Sequence, residues 1–251
     1  MNALTAVVAT DRGAVRAGNE DRVGVFGWVA PVEQATPVLL SIRGGGPAVV
    51  AVADGLGGHA CGERASRLAV QWLLAAAPRL DGPAALREEL VRIHGELLRD
   101  AAEDPARAGM GTTLVAALVL GDGVLGDQVV LAHVGDSRAY HVEPGLVERL
   151  TDDDAAGGGA ITQCLGGLPG VEVYPHLDTQ KVAPTARLLL CTDGLHGVVP
   201  APLLRELLAE PDPVRCVSGL MDAAAAGGAP DNVSVCLLCF DDGQPWRPSD
   251  G

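Results

Sequence analysis

The feature that most restricts this chain is a succession of short apolar runs, rich in Val and Leu, several of which run straight into an aspartate. Residues 49–53 end at Asp54-Gly55, 188–192 at Asp193-Gly194, 131–135 at Asp136, and Asp231-Asn232 opens the run 233–240. Runs of this length, broken by Gly, Asp and Pro, fit strands better than helices. Strands are expected at 4–10, 23–29, 49–53, 113–120, 129–134, 138–142, 187–191 and 233–240. Gly121-Asp122-Gly123 and Glu143-Pro144-Gly145 are turn signals that join neighbouring runs as antiparallel hairpins.

Helical periodicity occupies 63–77 and 83–103, then 202–209 and 214–226, with Pro202 and Pro213 suited to first-turn positions. Strands, a helix pair, more strands and a second helix pair make a layered sandwich of sheets and helices. No repeat or linker divides the chain, so one domain is expected over 1–240, followed by a polar tail at 241–251. With 48% hydrophobic and 20% charged residues, the 251-residue chain has a globular composition. No apolar run reaches the ~20 residues that span a bilayer, and the first residues lack a secretory pattern, so a cytoplasmic protein away from membranes is expected. A net charge of -14 argues against nucleic acid as a partner.

Six cysteines are spread from Cys61 to Cys239. Cys236 and Cys239 match C-x-x-C, but residues three apart on a strand face opposite ways and cannot share a metal easily. Cys61 and Arg67 match the C-x5-R spacing of cysteine phosphatases. Chance produces that spacing readily in an arginine-rich chain, and Glu63 inside the would-be phosphate loop opposes a thiolate. Four of the six lie in apolar stretches, where buried thiols are the expectation.

A single Asp-Gly pair is more often a turn than a ligand. Four apolar strands that each meet an aspartate are a different matter. A buried strand holds its terminal carboxylate rigidly at a sheet rim, and a following Gly lets backbone approach a ligand closely. Clustered carboxylates of this kind suit hard ions such as Mg²⁺ or Mn²⁺.

Seven strings then occur in order: Arg16 with Asn19-Glu20-Asp21, Asp54-Gly55 with Gly57, Gly111-Thr112-Thr113, Gly135-Asp136-Ser137-Arg138, Ile161-Thr162 with Leu165-Gly166, Thr192-Asp193-Gly194, and Asp231-Asn232 with Ser234. Together they resemble the type 2C metal-dependent Ser/Thr protein phosphatases, particularly the compact bacterial members. The resemblance implies an α+β fold of four layers, αββα, with two antiparallel sheets flanked by helix pairs. It implies two Mn²⁺ or Mg²⁺ ions, with Asp54 bridging both and the Gly55 carbonyl on one. Asp193 and Asp231 complete the second ion's shell, Asp21 acts on the first directly or through water, and Asp136 matches the position of a third, weaker ion. Arg16 is implied to bind the substrate phosphate, and Arg16, Asp54, Asp193 and Asp231 to carry catalysis. Phosphoserine and phosphothreonine in proteins, opposed by a Ser/Thr kinase, are the implied substrates, and a metal-activated water the implied nucleophile.

Three departures from the family pattern stand out. Leu56 occupies the place after Asp54-Gly55 where some members have a general-acid histidine, and nearby His59 is expected to be structural. Only residues 155–160 separate Leu150-Thr151-Asp152-Asp153-Asp154 from Ile161-Thr162, so the family's flap is nearly missing, and the three aspartates are expected to form a solvated loop. Residues 31–47, with Gly44-Gly45-Gly46, read as an inserted surface loop. A pseudophosphatase that binds without turnover, and a small-molecule phosphoesterase, are the alternative functions.

Overall fold

Strands apolar along nearly their whole length decide how this chain is layered. The computed structural model describes residues 3–43, 46–57, 59–121, 128–157, 160–183 and 186–240. The first third holds β1 (Ala3–Asp11), β2 (Arg22–Val25), β3 (Trp28–Val29), β4 (Gln34–Arg43), β5 (Ala48–Ala53) and β6 (Gly55–Leu56). Then come α1 (His59–Ala76), α2 (Pro83–Ala102), β7 (Gly111–Thr112), β8 (Leu114–Leu120), β9 (Gln128–Val134), β10 (Arg138–Glu143) and β11 (Leu146–Arg149). The last third has β12 (Leu165–Gly166), β13 (His176–Lys181), β14 (Arg187–Cys191), α3 (Asp193–His196), α4 (Ala201–Leu208), α5 (Pro213–Ala226) and β15 (Val233–Phe240).

Two six-stranded antiparallel sheets result, β11-β10-β14-β15-β1-β4 and β13-β9-β8-β5-β2-β3, with a small third sheet β12-β7-β6. In β5, Val50 and Val52 enter the core between the large sheets, whereas Val49 and Ala51 turn to α1 and α2. In β14, Leu188 and Leu190 face the other sheet while Leu189 and Cys191 face α4 and α5. A strand buried on both sides must be apolar at every position, which is why these runs show no polar alternation. The four layers αββα follow. Leu73, Leu86, Leu90 and Ile93 seal one helix pair onto its sheet, and Leu204, Leu208, Val217 and Leu220 seal the other. Pro213 stands in the first turn of α5, where the Asp212 carboxylate accepts from the amides of Val214 and Arg215.

Cys236 lies in the core between the sheets and Cys239 packs on the opposite, helix-covered side, so the C-x-x-C pair is divided as expected. All six cysteines are free thiols.

Several expectations need correction. The segment 31–47 is not an inserted loop: Gln34–Arg43 is the edge strand β4, paired along β1, with Leu40 and Ile42 packed on the inter-sheet core. Its partly buried row is hidden in sequence by the polar and proline residues that an edge strand tolerates. The expected strand 23–29 is a hairpin broken at Phe26 and Gly27, which both take positive φ (52° and 87°). The short strands β6, β7 and β12, and the more exposed β11 and β13, carry too little apolar pattern to be seen beforehand. Glu143-Pro144-Gly145 does turn β10 into β11, with Gly145 at φ 82°. Residues 122 and 123 of the expected turn and the tail at 241–251 fall outside the described residues, as does the side chain of His59.

Candidate functional site

Antiparallel register alone gathers the aspartates. Asp11 at the end of β1 pairs with Val233 at the start of β15, and Cys191 at the end of β14 pairs with Val235. In the other sheet Arg22 pairs with Ala53, and Leu114 with Val134, so the start of β2 and the ends of β5 and β9 share one edge. Asp21, Asp54, Asp136, Asp193 and Asp231 therefore stand at the same end of the sandwich. There Asp54, Asp136, Asp193 and Asp231 line a cavity of about 210 Å³ with Arg16, Glu20 and Gly55.

The backbone that carries these side chains is held from behind. The Asp54 amide donates to Thr113 Oγ1 (3.0 Å), its carbonyl accepts from Thr112 Oγ1 and the Thr113 amide (both 2.8 Å), and Thr113 Oγ1 meets Ser137 Oγ at 2.8 Å. Gly55 packs so closely that a Cβ there would lie 2.2 Å from the Gly62 carbonyl oxygen of α1. A Cβ on Gly194 would lie 1.9 Å from the carbonyl oxygen of Asn232, so Asp193 and Asp231 are brought together by a contact only glycine allows. Asn232 Nδ2 donates to the carbonyls of Arg12 and Gly18, and its Oδ1 accepts from the Glu20 amide, fastening the loop that carries Arg16. Arg16 Nη2 donates to Asp231 Oδ2 at 2.5 Å. His196 Nε2 donates to the Asp136 carbonyl at 3.1 Å.

Asp21 does not line the cavity. It is buried beneath, with Oδ2 accepting from Thr192 Oγ1 at 2.9 Å. Burial, opposed by hydrogen bonds from Ser234 and Thr192 and assisted by repulsion from Asp193 and Asp231, raises its carboxyl to about 7. Burial and then repulsion from Asp21, Asp193, Asp231 and Asp136 hold Asp54 well above the usual carboxylate range. Burial, with Asp136 and Asp231, lifts Asp193 to about 6, and burial also raises Asp136. Among the described residues lining the cavity, Arg16 is the one cation.

Buried oxygens Oδ1 of Asp21, Asp136 and Asp193 have no hydrogen-bond partner. Buried acceptors are normally satisfied, so these three mark positions that want a donor or a cation. Clustered, mutually repelling carboxylates with unpaired oxygens, and no histidine or cysteine among the described residues that line the cavity, form a donor set that fits hard divalent ions.

All of the site residues proposed from sequence thus meet at this edge, with Asp21 one layer deeper than the rest. Sequence reading passed over Glu20, which lines the cavity, and Asn232, which fastens the loop; both lie inside strings already quoted, but nothing in a local pattern tells a lining residue from its neighbour. The loop after Thr151 is short, closed by an Ala155–Ile161 bridge, and Ile161 reaches the cavity rim. Its aspartates are not simply solvated: Asp153 takes a two-pronged bond from Arg138 (2.9 and 2.6 Å) and Asp154 accepts from the Gly135 amide, while Asp152 is exposed.

The sequence profile of the family described as protein phosphatase 2C matches residues 38–228. The serine/threonine protein phosphatase PstP of Mycobacterium tuberculosis is 33% identical over 94% of this chain, which spans about half (45%) of that relative's length. The serine/threonine phosphatase stp of Listeria welshimeri is 32% identical over 91% of this chain and 93% of its own. The crystal structure of M. tuberculosis PstP/Ppp superimposes with a TM-score of 0.78 at 30% identity, over 95% of this chain and 99% of that one. The PstP catalytic domain in complex with two manganese ions gives 0.77 at 30% identity, over 96% and 100%. Fold, ordered strings and the convergent carboxylates agree with these likenesses, and the chain belongs to the protein phosphatase 2C family.

Proposed function

We propose that this chain is a metal-dependent protein phosphatase that hydrolyses phosphoserine and phosphothreonine. The observation that carries this reading is the convergence of Asp54, Asp136, Asp193 and Asp231 on one cavity, with buried oxygens left unpaired. Asp54, the Gly55 carbonyl, Asp193 and Asp231 would hold two Mn²⁺ or Mg²⁺ ions, with Asp21 acting from beneath and Asp136 serving a third, weaker one. Bound there, such ions supply Lewis-acid charge and acidify water.

The chain's own residues do the rest. Arg16, half-exposed on the cavity rim, presents a planar fork of donors to a phosphoryl group, and takes up part of the oxygen charge as the ester breaks. Thr112, Thr113 and Ser137 keep Asp54 in one position, so little reorganisation is needed during reaction. Leu56 offers no proton, so no side chain at that position protects or protonates the leaving alcohol.

Phosphoproteins are proposed as substrates, with a Ser/Thr kinase supplying them, because the curated relatives are serine/threonine protein phosphatases. Residues 1–240 are proposed as one catalytic domain, since β1 and β15 pair at the centre of one sheet. No described helix is long and apolar enough to cross a membrane. Six free thiols suit a reducing compartment, and we place the domain in the cytoplasm, acting on protein rather than nucleic acid.

The test is turnover of phosphoserine and phosphothreonine peptides by metal-stripped protein before and after Mn²⁺ is added. Turnover that appears only with the ion is expected. Undiminished turnover in stripped protein sinks the metal mechanism, tight peptide binding without turnover makes the chain a pseudophosphatase, and preference for small phosphate esters over peptides makes it a general phosphoesterase.

A further inference from the structure

His133 near the end of β9 and His176 at the start of β13 are direct partners in the antiparallel register. Opposed residues of such a pair project from the same face with Cβ atoms about 4.5–5.5 Å apart. Their imidazoles are stacked, with centroids 4.6 Å apart and planes inclined by 15°. Asp154 joins them from the loop after Thr151. Its Oδ1 meets His176 Nε2 at 2.8 Å and its Oδ2 accepts from the Gly135 amide at 2.9 Å. One ligand-capable atom from each of the three residues lies within 4.8 Å of the other two.

The surroundings favour ligation. His133 Nε2 stands 2.9 Å from the Asp152 carbonyl, which can only accept, so that nitrogen carries the proton and Nδ1 keeps its lone pair. A carbonyl that fixes the tautomer in this way is the usual support of a ligating histidine. Burial lowers the affinity of His133 for a second proton, which keeps it neutral. His176 is exposed, so an ion has a way in and room for water.

We propose that His133, Asp154 and His176 form a second metal site, for a borderline ion such as Zn²⁺, distinct from the all-oxygen cavity. Two imidazoles and a carboxylate suit Zn²⁺, Co²⁺ or Ni²⁺ far better than Mg²⁺. An ion there ties the 152–161 loop to the β9–β13 edge. Through Asp154 and Gly135 it also steadies the backbone next to Asp136.

The test uses protein saturated with Mg²⁺, to which Co²⁺ and then Zn²⁺ are added, with binding followed by calorimetry and by the visible absorption of Co²⁺. One further ion per chain is expected, with a Co²⁺ spectrum typical of nitrogen ligation. His176→Ala removes an exposed side chain and so endangers folding little; it should weaken that ion by about a hundredfold or more. Asp193→Ala, which damages the oxygen-lined cavity, should keep it. The site is refuted if the extra ion is held equally well by His176→Ala, if it is lost in Asp193→Ala alone, or if none binds. In those cases the three side chains are only a hydrogen-bonded brace.

Discussion

Asp231 accepts from two directions, Arg16 at Oδ2 and its neighbour's amide at Oδ1, so metal and phosphate compete for groups already paired with each other. Arg16→Ala should therefore weaken kcat/KM for phosphopeptides while leaving the number of bound Mn²⁺ ions unchanged. Calorimetry beside steady-state kinetics checks this, and loss of an ion would contradict the assigned role. Asp54→Ala and Asp193→Ala should each lower kcat by about a thousandfold or more, about 4 kcal/mol of transition-state stabilisation, while the fold survives. Asn232→Ala removes three hydrogen bonds that fasten residues 12–20. It should impair turnover without removing any proposed ligand. These roles differ in visibility: an aspartate ending an apolar run shows in the sequence, whereas Glu20 and Asn232 matter only through what folds against them.

At the scale of elements, helix α5 rests on a single capping carboxylate. Asp212→Ala should cost about 1 kcal/mol of unfolding free energy, seen as a lower urea midpoint, with turnover unchanged because Asp212 is not among the residues that line the cavity. Strands buried on both faces were legible because every residue is apolar, and the helix pairs because their periodicity and prolines agree. Edge strand β4 was misread as a loop for the complementary reason: none of its described side chains is fully buried, and Thr36 and Pro37 interrupt the pattern. The hairpin at Phe26 was missed since its turn uses a non-glycine residue at positive φ, which no local rule favours.

For the molecule as a whole, the carboxylate cluster links stability to pH and to metal. Asp21 at about 7, Asp193 at about 6 and Asp54, raised by burial and by its neighbouring carboxylates, bind protons more tightly folded than unfolded, where aspartates titrate near about 4. Their contribution to stability is thus lost as pH rises through the folded values. His196, lowered to about 4 by burial, works in the opposite sense, but only below the ordinary histidine range near about 6.5. Between pH ~6.5 and ~8 the metal-free protein should therefore lose melting temperature as pH rises. Mn²⁺ should restore it, more at the upper end, where fewer protons compete. Scanning fluorimetry with and without the ion measures both, and a metal-free melting temperature that climbs over this interval would overturn the electrostatic account.

What the sequence determined by itself was the layering, through runs apolar at every position, and the chemical type of the site, through aspartates placed where those runs stop. Local pattern suffices for both, because burial on two faces and termination at a rim are written in consecutive residues. Tertiary structure decided which carboxylate lines the cavity and which lies beneath it, and that Asn232 anchors the Arg16 loop. It also decided that His133 and His176, 43 positions apart in sequence, stand face to face. Those facts depend on strand register and on close approaches such as Gly194 to Asn232, which join residues far apart along the chain and leave no local signature.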